Sequence, residues 1–270
     1  MIDVHTHLHP PRLFAAIRRW FAERSPWVLE HPTEPQAVAR ALREHGVERF
    51  TFCSYAHKPG IARDLNLWLT DTARSLGAGA LPLATVHLDD PDPAGDMRDA
   101  LRAGCVGLKV HEHVQRFELG DARLAPVLDA VAAAEGFVLV HVGAIPWSDD
   151  TNDGPARIAA VLARHPRLRV VVAHFGVPDS VRYVDLALRE PRLFLDTTMA
   201  FAAESPMRAT SIARDDVVRG AAQIVYGTDW PNIPYAYDGD LRGLRALGLG
   251  EAALRAIMSE NARRLTPAFA

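Results

Sequence analysis

Histidines recur in this chain where short apolar runs end, and one further run leads into an aspartate. In chain order these polar residues are His5, His7, His57, His87, His111, His141, His174 and Asp229. Neutral imidazoles combined with one carboxylate suit Zn²⁺, and they also accept Fe²⁺, Mn²⁺ or Co²⁺. A single strand-end histidine is more often a structural residue, so the prediction of a divalent-metal site depends on these ends converging.

The elements that must position these residues alternate along the chain. Apolar or β-branched runs, expected as strands, cover residues 2–5, 49–54, 81–87, 106–111, 137–141, 169–174, 193–197 and 223–227. Amphipathic stretches, expected as helices, lie between them, for example at residues 34–45, 62–76, 121–135, 155–164, 177–189 and 251–265. Continuous apolar strands indicate a parallel sheet covered on both faces. Eight such β–α units predict an α/β fold, the (β/α)8 TIM barrel.

An open doubly wound sheet is the alternative fold. It would need a glycine-rich turn after the first strand, where this chain continues from His5 to His7 instead. In a barrel, by contrast, the carboxyl ends of all strands surround one mouth, so residues far apart in sequence would meet there. His5 and His7 are two residues apart on a strand and therefore project to the same side.

The longest insertion, residues 8–32, follows the first strand and contains a helical stretch at residues 12–24. On a barrel it would lie over the C-terminal mouth, where a lid belongs. Trp20 and Trp27 in this insertion, with Trp147 and Trp230, are candidates for an aromatic pocket wall, and ordinary packing explains them equally well. No linker or repeat divides the chain, so a single domain over residues 1–270 is expected.

The composition argues against several classes of protein. The 270 residues are 49% hydrophobic with a formal net charge of −3, which gives no reason to expect nucleic acid or an anionic membrane as a partner. No apolar run approaches the ~20 residues of a membrane helix, and the first residues lack the features of a signal peptide. Two cysteines, Cys53 and Cys105, fit a reduced, cytoplasmic compartment. We expect a small-molecule substrate, and a homo-oligomer is compatible with the sequence.

Five segments, taken in order, resemble the amidohydrolase superfamily and its amidohydrolase 2 branch. Residues 3–7, Asp-Val-His-Thr-His, are similar to the Asp-x-His-x-His signature of the first strand. Residues 107–111, Gly-Leu-Lys-Val-His, are similar to the Gly-x-Lys-x-His segment of strand four. His141, His174 and Asp229 resemble the histidines of strands five and six and the aspartate of strand eight. The resemblance runs over essentially the whole chain.

This resemblance implies a metal-dependent barrel enzyme with the site residues in defined roles. His5, His7, His141 and Asp229 would hold one divalent ion, with Zn²⁺ expected first. His174 would lie beside the ion as a catalytic residue. Asp229 would accept the proton of a water molecule whose pKa the metal lowers and pass it to the leaving group. His174 or the metal would polarise the attacked carbonyl.

Lys109 and His111 are predicted as residues of a second metal site or of the substrate pocket. In two-metal members of the superfamily a strand-four lysine carries a carbamate that bridges both ions. A lysine buried in an apolar strand is costly unless it is paired or modified. The alternative is an unmodified ammonium beside a nearby acid, and the expectation for this chain is one metal.

The function predicted first is hydrolysis of an amide, ester or lactone-type bond of a small molecule. The alternative is non-oxidative decarboxylation of an aromatic or unsaturated acid, with Asp229 or His174 supplying a proton to carbon. A pocket cation for the substrate carboxylate would favour it, and Lys109, Arg116 and Arg208 are the candidates. A metal-dependent phosphoesterase or nuclease ranks lower, because the strand-four position holds Lys109 and His111 where such enzymes carry a glutamate. The fourth alternative is a barrel that binds a metal without being an enzyme.

Overall fold

The computed structural model describes residues 1–142 and 153–270. In these ranges the strands are β1 (Ile2–His7), β2 (Arg49–Cys53), β3 (Ala80–Pro82), β4 (Gly107–His111), β5 (Phe137–His141), β6 (Arg169–Val172), β7 (Leu193–Asp196) and β8 (Ile224–Val225). Nearly all of their residues are buried, on both faces of each strand. That burial explains why the strands read as continuous Val, Ile, Leu and Phe runs rather than as an alternating pattern.

The strands form a closed parallel barrel. They are hydrogen-bonded in the orders β1-β2-β3 and β4-β5-β6-β7-β8. A bridge between Ala84 and Leu108 joins β3 to β4, and a bridge between Thr6 and Trp230 joins the segment after β8 to β1. These two seams complete the ring, so the predicted (β/α)8 barrel is confirmed.

Strand lengths differ from the sequence prediction where backbone groups find other partners. β3 ends at Pro82 rather than at residue 87. The N–H groups of Leu83 and Ala84 still donate to carbonyls of the neighbouring strands, but the Thr85 N–H donates to Oδ1 of Asn66 at 2.8 Å. β8 is also shorter, because the Gly227 N–H donates to Oγ1 of Thr197 at 3.1 Å. A side chain thus replaces the neighbouring strand as the hydrogen-bond partner in both places.

Helices fill the connections between the strands. They are α1 (Pro11–Arg24), α2 (Pro35–Glu44), α3 (Ala62–Leu76), α4 (Pro93–Ala103), α5 (Glu112–Gln115), α6 (Ala125–Ala133), α7 (Gly154–Arg164), α8 (Ser180–Arg189), α9 (Arg214–Gly220), α10 (Gly239–Ala246) and α11 (Glu251–Arg255). Proline stands in the first turn of α1, α2, α4, α6 and α7, where its missing N–H costs no helical hydrogen bond. Among the described helices, none has both the length and the apolar character needed to cross a bilayer.

The insertion after β1 places α1 beside the mouth of the barrel, as the sequence predicts. Leu13, Ile17 and Trp20 on this helix line the same pocket as the strand-end residues His5 and His7. Side chains three and four residues apart lie on one helix face, so α1 presents a single apolar face to the pocket. The carboxyl ends of the strands and this helix together enclose the candidate site.

Candidate metal centre

His5, His7 and Asp229 meet at the mouth of the barrel. Nε2 of His5 and Nε2 of His7 are 3.2 Å apart. Oδ1 of Asp229 lies 2.5 Å from Nε2 of His7 and 3.3 Å from Nε2 of His5. Asp229 reaches this point from a left-handed backbone conformation, φ 62°, in which its N–H donates to the His5 carbonyl at 2.7 Å. Three ligand atoms from two ends of the chain therefore converge.

The hydrogen bonds of His5 fit this group to a divalent metal. Nδ1 of His5 donates to Oδ2 of Asp196 at 2.7 Å, which leaves the lone pair of Nε2 directed at the cluster. A histidine whose other nitrogen donates to a carboxylate is the usual arrangement around protein-bound metals. Two imidazole nitrogens and a carboxylate oxygen are also a donor set that Zn²⁺ and similar ions take. His5, His7 and Asp229 thus form a site able to hold such an ion.

Burial and charge set the protonation of these three groups. Burial and the nearby charge of Lys109 lower the pKa of His5 to about 4, so its ring is neutral at neutral pH. Burial also acts to lower the pKa of His7, but Cys53 and Asp229 outweigh it and raise that pKa to about 9. Burial acts to raise the pKa of Asp229, yet His7 holds it below its usual range. His7 must therefore release a proton when a metal binds.

His141 and His174 lie next to this group without belonging to it. His141 is not among the residues whose ligand atoms lie within 4.8 Å of one another. Its Nδ1 atom is 2.9 Å from Nε2 of His174, and burial lowers the pKa of both rings. Nε2 of His141 and Nδ1 of His174 are buried and have no hydrogen-bond partner among the described residues. Each ring thus keeps one nitrogen open to a ligand or substrate.

Asp196 is a residue of this site that is not among those predicted from the sequence. It ends β7, is fully buried, and accepts from Nδ1 of His5 as well as from the N–H of His174 at 2.8 Å. Burial acts to raise its pKa, but His5 and His174 outweigh that effect and lower it. The sequence does carry a signal, because Asp196 is the charged end of the apolar run Leu-Phe-Leu-Asp.

Lys109 and His111 both reach the pocket from β4. Lys109 is 1% exposed, and its Nζ atom lies 3.0 Å from Nε2 of His5. Among the described residues no carboxylate forms an ion pair with this buried ammonium, an arrangement that is costly for a lysine. The ring of His111 stacks on that of His141, with centroids 4.1 Å apart. A second-metal role and a substrate role for Lys109 and His111 both stay predictions.

We call His5, His7 and Asp229 the metal group. The pocket above them, which we call the main pocket, has a volume of about 510 Å³. Trp20, Phe21 and Trp27 form an aromatic side of it, and Met199 and Met207 also line it. Of the four candidate tryptophans, Trp20 and Trp27 line the pocket. Trp230 does not line the pocket, because its ring packs against His31 with centroids 4.0 Å apart. Trp147 lies outside the described residues.

The remaining candidate residues differ in whether they line this pocket. Arg116 and His57 line the pocket, as Lys109 does. Arg208 and His87 were also predicted as candidates, but they do not line the pocket. Lys109 and Arg116 are therefore two cationic side chains in the pocket that could bind an anionic group of a substrate.

The comparisons with known proteins agree with this architecture. A family model described as Amidohydrolase matches residues 2–267. No curated protein matches the sequence. Among solved structures, an uncharacterized TIM-barrel protein from Bordetella bronchiseptica is 19% identical, with 100% of this chain and 99% of that chain covered and a TM-score of 0.74.

Several of the similar structures are enzymes with a stated activity, among them a decarboxylase and a hydratase. The 2,6-dihydroxybenzoate decarboxylase from Rhizobium is 19% identical, with 98% and 97% of the two chains covered and a TM-score of 0.69. The 4-oxalomesaconate hydratase from Rhodopseudomonas palustris is 15% identical, with 99% and 96% covered and a TM-score of 0.63. At these identities the likeness establishes the shared fold, whereas the family model matches nearly every residue. The chain therefore belongs to the amidohydrolase family, whose members generally use a divalent metal.

Proposed function

We propose that the protein is a metal-dependent hydrolase that cleaves an amide, ester or lactone-type bond of a small molecule. The observation that carries this proposal is the convergence of His5, His7 and Asp229 in the main pocket. The group combines two ligand nitrogens with a carboxylate that is ionised at neutral pH. Metal-assisted hydrolysis needs a bound cation and a base beside it, and this group contains residues for both.

His5, His7 and Asp229 would hold the ion, and we propose His141 as a further ligand. When bound, a divalent ion polarises a carbonyl and lowers the pKa of water toward ~7. Asp229 would take a proton from the attacking water on a carboxylate oxygen and transfer it to the leaving group. His174, neutral because it is buried, would donate a hydrogen bond to the carbonyl oxygen.

The aromatic side of the pocket would keep bulk water away from these groups. Trp20, Phe21 and Trp27 come from the insertion after β1 and line the pocket that contains Asp229. A low-dielectric wall strengthens the interaction of ionised groups with a developing charge. It also favours a substrate whose body is apolar or aromatic.

Non-oxidative decarboxylation is the second candidate, and the pocket cations favour it. Lys109 and Arg116 line the pocket, and either would bind a substrate carboxylate. His174 or Asp229 would then deliver a proton to the carbon that loses carbon dioxide. The similarity to the Rhizobium decarboxylase is compatible with this chemistry.

The metal requirement is tested first. Elemental analysis of the purified protein is expected to give about one divalent ion per chain. His5→Ala/His7→Ala should lose it, because that variant lacks two of the three converging ligands. Equal metal content in both proteins would contradict the proposed site. Two ions per chain would support a carbamate on Lys109.

Isotope labelling then separates the two reactions. Small amides, esters, lactones and aromatic acids are screened with the metal-loaded enzyme in ¹⁸O-water and in deuterium oxide. Hydrolysis places one ¹⁸O atom in the product carboxylate, whereas decarboxylation releases carbon dioxide and places deuterium on carbon. Mass spectrometry of the product distinguishes these results. Carbon-bound deuterium without ¹⁸O would replace the hydrolase proposal with the decarboxylase.

A further inference from the structure

A second cavity of about 220 Å³ adjoins the main pocket. The two cavities share His57 and Arg116, which line both of them. The metal group lines the main pocket only. A ligand that extends from the metal group past Arg116 would therefore enter this second cavity, which we call the annex.

The backbone at Arg116 is strained and rigidly held. Arg116 follows α5 in the left-handed conformation, with φ 60° and ψ 36°, where a side chain with a β-carbon costs energy and glycine does not. Gln115 fixes the position: it is 1% exposed, accepts from the His111 N–H at 2.7 Å and donates to the Val86 carbonyl at 2.7 Å. An arginine kept in such a conformation is a reason to look for a function of its side chain.

The charges around the annex favour an anion at Arg116. Lys58 and Arg123 also line the annex, and Asp89 is the carboxylate among its described lining residues. Arg123 already bonds Asp89 at 3.0 Å and Asp121 at 2.7 Å. The guanidinium of Arg116, in contrast, forms no ion pair or hydrogen bond with any described residue. The planar guanidinium can therefore use two of its N–H groups to bind a carboxylate or phosphate with two parallel hydrogen bonds.

We propose that Arg116 anchors an anionic group, a carboxylate or a phosphate, at the end of the substrate remote from the metal group. The substrate class is then an elongated small molecule with a hydrolysable bond, an apolar or aromatic middle part against Trp20 and Trp27, and an anionic tail between Arg116 and the annex. This inference rests on the proposed function, which places the reacting bond at Asp229.

Two matched probes test the anchor by direct binding. 4-Carbamoylbenzoate carries an amide at one end and a carboxylate at the other, and terephthalamide has the same shape without the charge. Calorimetry on the metal-loaded protein should show that Arg116→Gln and Arg116→Gly weaken 4-carbamoylbenzoate binding ~10–100-fold, the usual range for a charge-assisted hydrogen-bonded pair. Terephthalamide binding should not change. 4-Carbamoylphenyl phosphate, compared with the carboxylate, shows which anion the anchor prefers.

The controls separate a lost anchor from a damaged fold. Arg116→Gly suits the left-handed backbone, so its melting temperature should equal or exceed that of the wild type. Arg116→Lys keeps the positive charge but lacks the paired N–H donors of the guanidinium, so its affinity for 4-carbamoylbenzoate should be intermediate. Arg208→Gln removes an arginine that does not line the pocket and should bind both probes normally.

The possible results separate this inference from the proposed function. Wild-type affinity of Arg116→Gly for 4-carbamoylbenzoate, or an equal loss for both probes, overturns the anchor. A selective loss of anion binding supports the anchor whether or not the probes are hydrolysed, because binding and product formation are measured separately. Absence of hydrolysis of both amides counts against the proposed function only.

Discussion

Nδ1 of His141 and Nε2 of His174 lie 2.9 Å apart, and both rings are neutral at neutral pH because they are buried. Two neutral imidazoles at this distance share one proton between the facing nitrogens. If His141 donates, its Nε2 keeps a lone pair for a metal and His174 carries its own proton on Nδ1. Ligation by His141 therefore selects the tautomer of His174.

This pair leads to a prediction that distinguishes ligand from catalyst. His141→Asn should lose most of the bound metal, because it removes the nitrogen that is open to a ligand. His174→Asn should keep most of the metal, and its rate of turnover should fall ~10²–10⁴-fold, the usual effect of removing one acid–base group. Metal content and turnover are measured on both variants. Equal metal loss in the two would show that His174 is itself a ligand.

Asp196 is predicted to act on the metal through His5. Asp196→Ala removes the acceptor that orients His5, and loss of such an outer partner usually weakens metal binding ~10–100-fold. Asp196→Asn keeps an acceptor oxygen and should have a smaller effect. Competition with a chromogenic chelator measures the affinity. Asp153→Asn, at the exposed cap of α7, is the control and should bind as the wild type does. An unchanged affinity in Asp196→Ala would contradict this role.

Asp229→Asn should separate metal binding from proton transfer. The amide keeps the size of the carboxylate and an oxygen ligand, so metal content should fall only in part. It does not accept a proton at neutral pH, so the rate should fall ~10²–10⁴-fold. The melting temperature should change little, because Asp229 lies at the mouth rather than within the barrel layers. Turnover within a few-fold of the wild type would exclude the proton shuttle and favour decarboxylation with His174 as the donor.

Asp240 is predicted to make the stability of the folded protein depend on pH. Burial raises its pKa to about 6, although it accepts from the Phe201 N–H at 2.9 Å and from the Tyr235 hydroxyl at 2.8 Å. The folded state therefore binds this proton more tightly than the unfolded state. The resulting stabilisation is fully present below pH ~4 and is lost as the pH rises through about 6.

The comparison of wild type with Asp240→Asn isolates this effect. Lowering the pH from 7 to 4 should stabilise the wild type relative to the variant by ~2–3 kcal/mol, the equivalent of about two pKa units. Urea unfolding at each pH measures the difference. Parallel pH profiles for the two proteins would show that Asp240 titrates at its ordinary pKa in the folded state.

The sequence by itself determined the barrel and the end of it at which the pocket lies. Apolar runs alternating with amphipathic stretches already imply parallel strands, and parallel strands that close into a ring must bring their carboxyl ends to one mouth. His5 and His7 could be assigned to the same side from their spacing alone. The helix after β1 could be placed over the mouth because an insertion there has no other location.

Only the tertiary structure decided which of these residues touch. Asp196 meets His5 across 191 positions of sequence, and Asp229 reaches His7 from a left-handed backbone at the seam that closes the barrel. His141 faces His174 instead of joining the tight group. No local pattern contains such contacts, because they depend on strand stagger and on single backbone angles. Propensity and periodicity describe neighbours along the chain, whereas this chemistry depends on distances of about 3 Å between distant segments.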